Sequence, residues 1–330
     1  MKKKPERLLT INSHEAWIHQ LGYLGRPLDV IDGMPGRYCR AWDTRIRPVP
    51  PSARLLAAGE LTKKSYGCVV AHSVTDLLDL KHVEGPRILV LHVSLEGRAS
   101  NEGTGGVPEG YAEQVRTYLD GVGGHAVAIS AMKAKSWGIT DDVVPATVDL
   151  EAYPPWSGEL AAGIRVANQI GVRRKYFRWD LHETAFAGLP VDIVGVNPDM
   201  PGVGPSESWD DLKARLRAHR FYVHTADPTL EDGYNMAMFE AMAAGLPVLG
   251  NRHPTSPVEH GVTGFLSDDP AELRRYAEAL LVDRELAGRM GARARESLRG
   301  RFSIDVFVGG FRRSIEAAEG KWKRAAQKHR

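Results

Sequence analysis

Short apolar runs alternate with helical patterns along most of this 330-residue chain. Residues 68–71 and 87–92 are almost entirely apolar, which is typical of strands buried on both faces. Strand–helix alternation predicts parallel strands joined by right-handed crossovers, and therefore an α/β fold. In the first half of the chain, strands are predicted at residues 8–11, 28–31, 68–71, 87–92, 126–129 and 143–148, and a helix at 108–119.

The alternation breaks at residues 149–158, where Pro154, Pro155 and Gly158 mark a turn-rich linker. We predict a Rossmann-like domain on each side of this break, over 1–148 and 149–308. Ligands bind at the carboxyl ends of strands in open α/β sheets, so two such domains predict a site in the cleft between them. In the second half, helices are predicted at 180–187, 209–219, 235–244, 270–298 and 307–328, and strands at 192–196, 221–224 and 247–249.

Charge and composition exclude several classes of protein. The net charge of +2 gives no indication of a nucleic-acid partner, and Cys39 and Cys68 are too few for a disulfide framework, which suits a reducing cytoplasm. No run approaches the eighteen or so apolar residues of a membrane span, and the N-terminus does not resemble a signal peptide. Basic residues gather at both ends, as a solvated tail or as a weak peripheral contact with the inner face of an anionic membrane. They are Lys2, Lys3, Lys4, Lys321, Lys323, Arg324, Lys328 and Arg330.

The most informative segment is residues 232–248, which read DGYNMAMFEAMAAGLPV. The pattern predicts a helix that carries one carboxylate, Glu240, among apolar neighbours and that ends at Gly245 in a left-handed cap. A buried carboxylate is costly unless it accepts hydrogen bonds, and ribose hydroxyls are suitable donors.

The start of this predicted helix, near Tyr234 and Asn235, offers free N–H groups and a positive dipole end, which suit a diphosphate. Two structural alternatives account for the same residues. Glu240 then pairs with an internal arginine, and Asp232 only caps the helix.

The segment resembles the signature of the family-four retaining glycosyltransferases, in which two acidic residues are separated by seven others. Gly233, the aromatic Tyr234 and most of residues 240–248 match that signature. Asp232 stands where Glu is usual, and Asn235 stands where Gly is usual.

The resemblance implies a GT-B fold, with two Rossmann-like domains facing each other across a cleft. The final helix, residues 309–330, would cross back onto the first domain. Within the site, the resemblance implies that Asp232 contacts the sugar of the donor and that Glu240 binds its ribose. Gly233, Tyr234 and Asn235 would complete the nucleotide-sugar site.

Weaker matches lie on both sides of the linker. Residues 89–94 resemble a first-domain strand whose terminal histidine, here His92, contacts the donor sugar. Residues 148–153 resemble the family's interdomain linker, and residues 261–266 resemble the turn and strand that follow its nucleotide site.

The resemblance also implies two cations that neutralise the diphosphate. Arg165 matches the first, and the second is Arg173, Arg174 or Lys175, with Arg174 preferred. A guanidinium binds phosphate bidentately, so Arg can replace the usual Lys. The alternative is that these are surface cations.

Three further side chains are candidates for ligand contacts. Thr255 and Ser256 either donate hydroxyl hydrogen bonds to phosphate or sugar, or form an ordinary Ser/Thr turn. His14, at the end of the first strand, either contacts the acceptor or donor, or is a simple cap.

The resemblance thus implies a retaining, hexosyltransferase-like glycosyltransferase that moves a sugar from a nucleoside diphosphate to the hydroxyl of a glycan, lipid or small molecule. Arg165 and Arg174 would stabilise the leaving diphosphate, while Asp232 and His92 orient the sugar, and preorganised charge of this kind is usually the largest catalytic contribution. No His, Asp and Glu cluster has metal-site spacing, so no metal or other cofactor is expected.

A sugar-nucleotide epimerase and a non-catalytic sugar-nucleotide-binding protein are the alternatives. Residues 22–25 lack the GxGxxG pattern, which argues against a nicotinamide oxidoreductase.

Overall fold

The structure is a computed structural model that describes residues 6–37, 39, 41–61 and 65–328. The chain forms two units. The first contains the described parts of 1–95, 106–146 and 305–330, and the second contains 96–105 and 147–304. The predicted basic cluster Lys2–Lys4, and Arg330, lie outside the described residues. No helix in the described ranges is long and apolar enough to cross a membrane.

Eleven strands and eleven α-helices are assigned within the described residues. The strands are β1 (Leu8–Ile11), β2 (Leu28–Asp32), β3 (Ala53–Ala57), β4 (Cys68–Ala71), β5 (Arg87–Leu91), β6 (His125–Ala128), β7 (Gly163–Val166), β8 (Val191–Val194), β9 (Phe221–His224), β10 (Val248–Gly250) and β11 (Gly264–Leu266). The helices are α1 (Glu15–Gln20), α2 (Val74–Asp79), α3 (Leu95–Glu102), α4 (Tyr111–Val122), α5 (Ala131–Trp137), α6 (Trp179–Phe186), α7 (Trp209–Ala218), α8 (Met236–Ala243), α9 (Pro270–Val282), α10 (Arg284–Arg301) and α11 (Ile304–Lys328).

Each unit contains one parallel sheet. The six strands of the first unit follow the order β3-β2-β1-β4-β5-β6, and the five of the second follow β11-β10-β9-β7-β8. Both orders reverse direction once, between β1 and β4 in the first sheet and between β7 and β9 in the second. Ligands of doubly wound sheets bind at the carboxyl ends of the strands beside such a switch point. The predicted α/β class is confirmed.

Several predicted elements differ from the observed ones. The strand predicted at 143–148 is wrong, because only Val143 forms an isolated bridge with Ala128. The helix predicted over 270–298 is two helices, separated at Asp283, whose side chain caps the second by accepting from the Leu286 N–H at 2.8 Å. The strands β3 and β7 were not predicted from the sequence.

The final helix belongs to the first unit from residue 305 onward. The rings of Phe307 and Phe311 pack edge-on against Trp17, with centroids 5.9 and 5.8 Å away. The Ser314 hydroxyl donates to Asp142 at 2.6 Å. Burial of these rings helps to hold the helix in this position.

The helix α8 lies at the centre of the second unit, with residues 238–243 all buried. It ends in a Schellman motif, since the N–H of Leu246 bonds to the carbonyl of Ala241 and the N–H of Gly245 to that of Met242, both at 3.0 Å. Gly245 adopts φ of +89°, which confirms the predicted left-handed cap. The carbonyl oxygen of Gly245 then lies directly beneath Gly291 of α10.

We expect Gly291→Ala to destabilise the protein, because an added Cβ would lie 1.8 Å from the Gly245 carbonyl oxygen. Overpacking of this kind costs about 1–3 kcal/mol. Gly300→Ala is the matched control in the same helix, where nothing lies within 4 Å of the added Cβ. It should stabilise the protein by up to about 1 kcal/mol through helix propensity. Urea unfolding midpoints measure both, and equal midpoints for the two variants would contradict the close approach.

Candidate functional site

One amide side chain joins the ends of two neighbouring strands, β9 and β10, in the second unit. At the carboxyl end of β9, the Asn251 Oδ1 accepts from the Ala226 N–H at 2.9 Å, and its Nδ2 donates to the Ala226 carbonyl at 3.1 Å. This exchange fixes the loop after β9 against the end of β10. The loop continues into the acidic segment at Asp232.

Asn235, and not Asp232, caps α8. The Asn235 Oδ1 accepts from the Met238 N–H at 2.8 Å, as an N-cap side chain does. The alternative that Asp232 is a helix cap is therefore wrong. Asp232 is 1% exposed and lies just before the turn at Gly233. Its carboxylate is thus kept in the interior for a reason other than capping.

A tight contact surrounds Gly233. A Cβ at this position would meet the ring of His253 at 2.7 Å, so no larger residue fits without displacement. The Gly233 N–H donates to the Thr255 Oγ1 at 2.8 Å, and the Thr255 N–H donates to the Nδ1 of His253 at 3.2 Å. Ser256 accepts from the Val258 N–H at 3.3 Å. Both hydroxyl residues therefore take part in turn contacts, which was one of the two predicted alternatives.

Glu240 and Tyr234 are both buried at this end of the unit. The Tyr234 ring stacks on Phe239 with centroids 5.2 Å apart, and Phe239 in turn packs on Phe302 at 4.1 Å. Tyr234 therefore forms part of the core beneath the site. A nucleotide contact by Tyr234 stays a prediction.

His224 ends β9 and is buried, and its Nε2 has no hydrogen-bond partner among the described residues. Burial, and then the charge of Arg165, lower the pKa of His224 to about 3. His253 is also buried, and burial lowers its pKa as well. Both imidazoles are therefore neutral near pH 7, beside Asp232.

Arg165 lies within β7, and its guanidinium is buried inside the second unit. It donates to the Thr225 Oγ1 at 2.8 Å and to the main-chain carbonyls of Phe177 and Thr225 at 3.2 Å. Its Nη1 also lies 3.3 Å from the Nδ1 of His182. Burial lowers the pKa of Arg165 to about 10, which still leaves it charged at pH 7. In this conformation it holds β7, the 173–182 segment and the end of β9 together, and its donors do not reach the surface.

The three candidates for the second cation have different surroundings. Arg174 is exposed and bridges Asp180 and Glu183, with nitrogen–oxygen distances of 2.5 Å to each. Arg173 is half-buried, and its guanidinium lies 4.1 Å from the centre of the Tyr176 ring. Lys175 is exposed. Two carboxylates therefore already compensate the charge of Arg174, the preferred choice from sequence.

The first unit has its own cluster at its switch point, beside the carboxyl ends of β1, β4 and β5. The Thr10 Oγ1 lies 2.8 Å from the Nε2 of His72, and the Nδ1 of His72 lies 2.8 Å from the Nε2 of His92. The His14 ring lies nearly parallel to that of His92, with centroids 6.3 Å apart. The Nδ1 of His14 accepts from the Trp17 N–H at 3.2 Å, so His14 also caps α1.

His72, His224 and His253 were not predicted from the sequence as site residues. A signal was present for the first two, because each histidine either directly follows an apolar strand run or ends it, as His92 does. No group of three or more His, Cys, Asp or Glu side chains among the described residues could hold a metal ion.

Comparison with known proteins finds a similarity that covers the acidic segment. Residues 192–283, from β8 to just past α9, match the family model described as glycosyl transferases group 1. The N-acetyl-alpha-D-glucosaminyl L-malate synthase of Bacillus anthracis is 37% identical over 82 residues, which are 24% of this chain and 22% of that protein. The chain therefore spans about a fifth of the length of this curated relative.

Solved glycosyltransferases share the fold of the whole chain. Sucrose-phosphate synthase from Thermosynechococcus elongatus matches with a TM-score of 0.66 and 15% identity, over 95% of this chain and 100% of its own. HepE of Anabaena, solved with UDP and glucose, matches with a TM-score of 0.66 and 13% identity, over 94% of this chain and 99% of its own. TarM of S. aureus matches with a TM-score of 0.58 and 14% identity, over 75% of this chain and 55% of its own. At these identities the likeness shows the fold, which is GT-B.

The buried histidine beside Arg165 makes stability depend on pH. Burial, and then Arg165, lower the pKa of His182 to about 2, from an ordinary value of 6.5. The unfolded chain therefore binds a proton below pH 6.5 that the folded chain does not, and stability is lost as the pH falls. At pH 5 this single group should cost about 2 kcal/mol.

We expect the free energy of unfolding of His182→Gln to fall by about 2 kcal/mol less than that of the wild type between pH 8 and pH 5. Urea unfolding at both pH values measures the difference. The pH 8 comparison isolates the contacts that the substitution itself removes. If both proteins lost the same free energy of unfolding between pH 8 and pH 5, His182 would not be buried in its neutral form.

Proposed function

We propose that the protein transfers a sugar from a nucleoside diphosphate donor to an acceptor hydroxyl, with retention at the anomeric carbon. One observation carries the proposal: the buried carboxylates Asp232 and Glu240 flank the start of α8 in the segment that matches the glycosyltransferase family. A helix start at the carboxyl ends of parallel strands suits a diphosphate, and buried carboxylates suit sugar and ribose hydroxyls.

The donor that we propose to test first carries UDP. HepE was solved with UDP and glucose, and TarM was solved with UDP and alpha-GlcNAc-glycerol. These ligands belong to proteins whose identity to this chain is low, so they support a choice of probes. The acceptor is proposed to be a glycan or another hydroxyl compound.

We propose that cationic side chains neutralise the diphosphate and that no divalent metal is needed. Arg173 is best placed for direct contact, because it is half-buried against Tyr176 and the Tyr176 carbonyl accepts from the Asp227 N–H at 3.0 Å. Asp227 lies in the loop that leads to Asp232. Arg165 contributes from beneath as a fixed interior charge. Peripheral membrane contact and a cytoplasmic location stay predictions from the sequence.

The two carboxylates should act on different parts of the donor. Glu240 lies in the second turn of α8, where it can reach a ribose alongside, so Glu240→Gln should weaken the binding of both UDP and UDP-sugar. Asp232 precedes the turn and faces the transferred group, so Asp232→Asn should leave UDP affinity unchanged and lower kcat. Calorimetry and a transfer assay with UDP-sugars measure these quantities. Full turnover by Asp232→Asn would remove the catalytic role of Asp232, whereas UDP-sugar binding without any transfer by the wild type would favour a binding protein.

We expect Arg173→Gln to lower the affinity for UDP roughly tenfold to a hundredfold, since a charge-assisted hydrogen bond contributes about 1.5–3 kcal/mol. Arg174→Gln is the matched control, and it should change the affinity by less than about twofold because its exposed ion pairs contribute little. Titration calorimetry with and without EDTA measures both effects. A larger loss in Arg174→Gln than in Arg173→Gln would restore the choice made from sequence, and loss of binding in EDTA would contradict the metal-free proposal.

A further inference from the structure

At the switch point of the first unit, the donor and the acceptor of each hydrogen bond can be assigned in turn, starting from Thr10. The Thr10 Oγ1 lies 2.8 Å from the Val70 carbonyl oxygen and 2.8 Å from the His72 Nε2. A carbonyl can only accept, so the hydroxyl must donate its single hydrogen to Val70. The reverse arrangement would place two bare oxygens 2.8 Å apart. The His72 Nε2 must therefore carry a hydrogen and donate it to Thr10.

The next contact follows from the charge state of His72. It is 9% exposed, and burial followed by the charge of His14 lowers its pKa to about 3, so the ring is neutral near pH 7. A neutral imidazole carries one hydrogen, and that hydrogen is on Nε2. The His72 Nδ1 is thus an acceptor, and it lies 2.8 Å from the His92 Nε2. His92 must donate from Nε2.

The charge state of His92 fixes the position of its own hydrogen. Burial, and then the charges of His72 and His14, lower its pKa well below the ordinary value, so this ring is also neutral. Its hydrogen is on Nε2, which leaves Nδ1 as an acceptor. His92 is only partly buried, whereas His72 is enclosed, so His92 is the member of the pair that a ligand can reach.

Aromatic packing fixes the orientation of both rings. The edge of Trp17 packs against His72 and His92, with centroids 5.1 and 5.0 Å away and interplanar angles of 75° and 88°. The main chain of His72 is held as well, since its N–H donates to the Asp76 Oδ2 at 2.9 Å. These contacts restrict rotation of both imidazoles, and Trp17 itself packs on α11.

We propose that Thr10 and His72 are positioning residues that hold His92 in the Nε2–H tautomer, so that its Nδ1 accepts a hydrogen bond from a sugar hydroxyl. The hydrogen bond from a sugar hydroxyl to the His92 Nδ1 rests on the proposed function. A sugar hydroxyl can donate or accept, so a fixed acceptor selects the orientation in which the hydroxyl donates. Neither Thr10 nor His72 needs to touch the substrate.

The decisive variant is Thr10→Val, which keeps the shape of a buried β-branched residue and removes the acceptor for the His72 Nε2–H. We expect His72 in this variant to carry its hydrogen on Nδ1. His72 would then donate to the His92 Nε2, and the hydrogen of His92 would move from Nε2 to Nδ1. Thr10→Ser is the matched control, because it keeps the hydroxyl. His72→Asn is a second control, because its Oδ1 can replace the Nδ1 acceptor and retain the tautomer of His92.

Long-range proton–nitrogen spectra of the full chain labelled with 15N-histidine report the tautomer directly. The signals of His92 are assigned by their loss in His92→Gln. We expect the Nε2–H pattern in the wild type, in Thr10→Ser and in His72→Asn, and a shift towards Nδ1–H in Thr10→Val. An Nδ1–H pattern in the wild type, or an unchanged pattern in Thr10→Val, would overturn the proposal.

Kinetics give the second readout. We expect Thr10→Val to lower kcat/KM for the sugar nucleotide about tenfold, equivalent to about 1.4 kcal/mol, with UDP affinity unchanged because UDP carries no transferred sugar. Thr10→Ser should keep the wild-type value, and an equal loss in both variants would overturn the positioning role. If the wild type transferred no sugar at all, the proposed function would fail, while the spectra would still decide the tautomer.

Discussion

Two main-chain segments meet where α8 ends, and the arrangement of the second unit depends on that contact. The Gly245 carbonyl lies beneath Gly291, and a side chain at Gly291 would push α10 away from α8, while the φ of +89° at Gly245 favours glycine there. Because the helices can approach so closely, residues 238–243 of α8 are all buried. A helix enclosed in this way cannot shift along its axis without opening the core. Its start, with Asp232 just before it, is therefore held at the carboxyl ends of β9 and β10.

The buried guanidinium of Arg165 imposes the second constraint. It forms no ion pair with a carboxylate among the described residues, and its partners there are carbonyls, a hydroxyl and a neutral imidazole. A buried charge is costly unless its donors are satisfied, and these contacts satisfy most of them. The uncompensated charge helps to keep His182 and His224 neutral. It also favours a ligand that brings negative charge to this end of the sheet.

Sequence patterns predicted what depends on order along the chain. The apolar runs gave the α/β class, and the residues after Asp232 gave the buried helix and its glycine cap, because these features are local. The roles of Arg174 and Asp232 were harder to predict, since the partners of Arg174 and the competing cap at Asn235 follow from side-chain positions. The strand β7 was missed because four residues containing Arg165 do not read as apolar. The contact between Thr10 and His72 joins residues 62 positions apart, which no spacing rule detects.

His72, His92 and His253 share one property: burial lowers the pKa of each ring, and hydrogen-bonded neighbours fix the position of the one hydrogen that the neutral ring keeps. In the second unit, the Nδ1 of His253 accepts from the main-chain N–H of Thr255, so a neutral His253 must carry its hydrogen on Nε2 and offer a donor there. In the first unit, the contacts of His72 leave His92 with an acceptor on Nδ1. An imidazolium would offer only donors and would suit any anion. A neutral ring with a fixed tautomer instead distinguishes the two orientations of a hydroxyl, which is the discrimination that a neutral, hydroxyl-rich ligand such as a sugar requires.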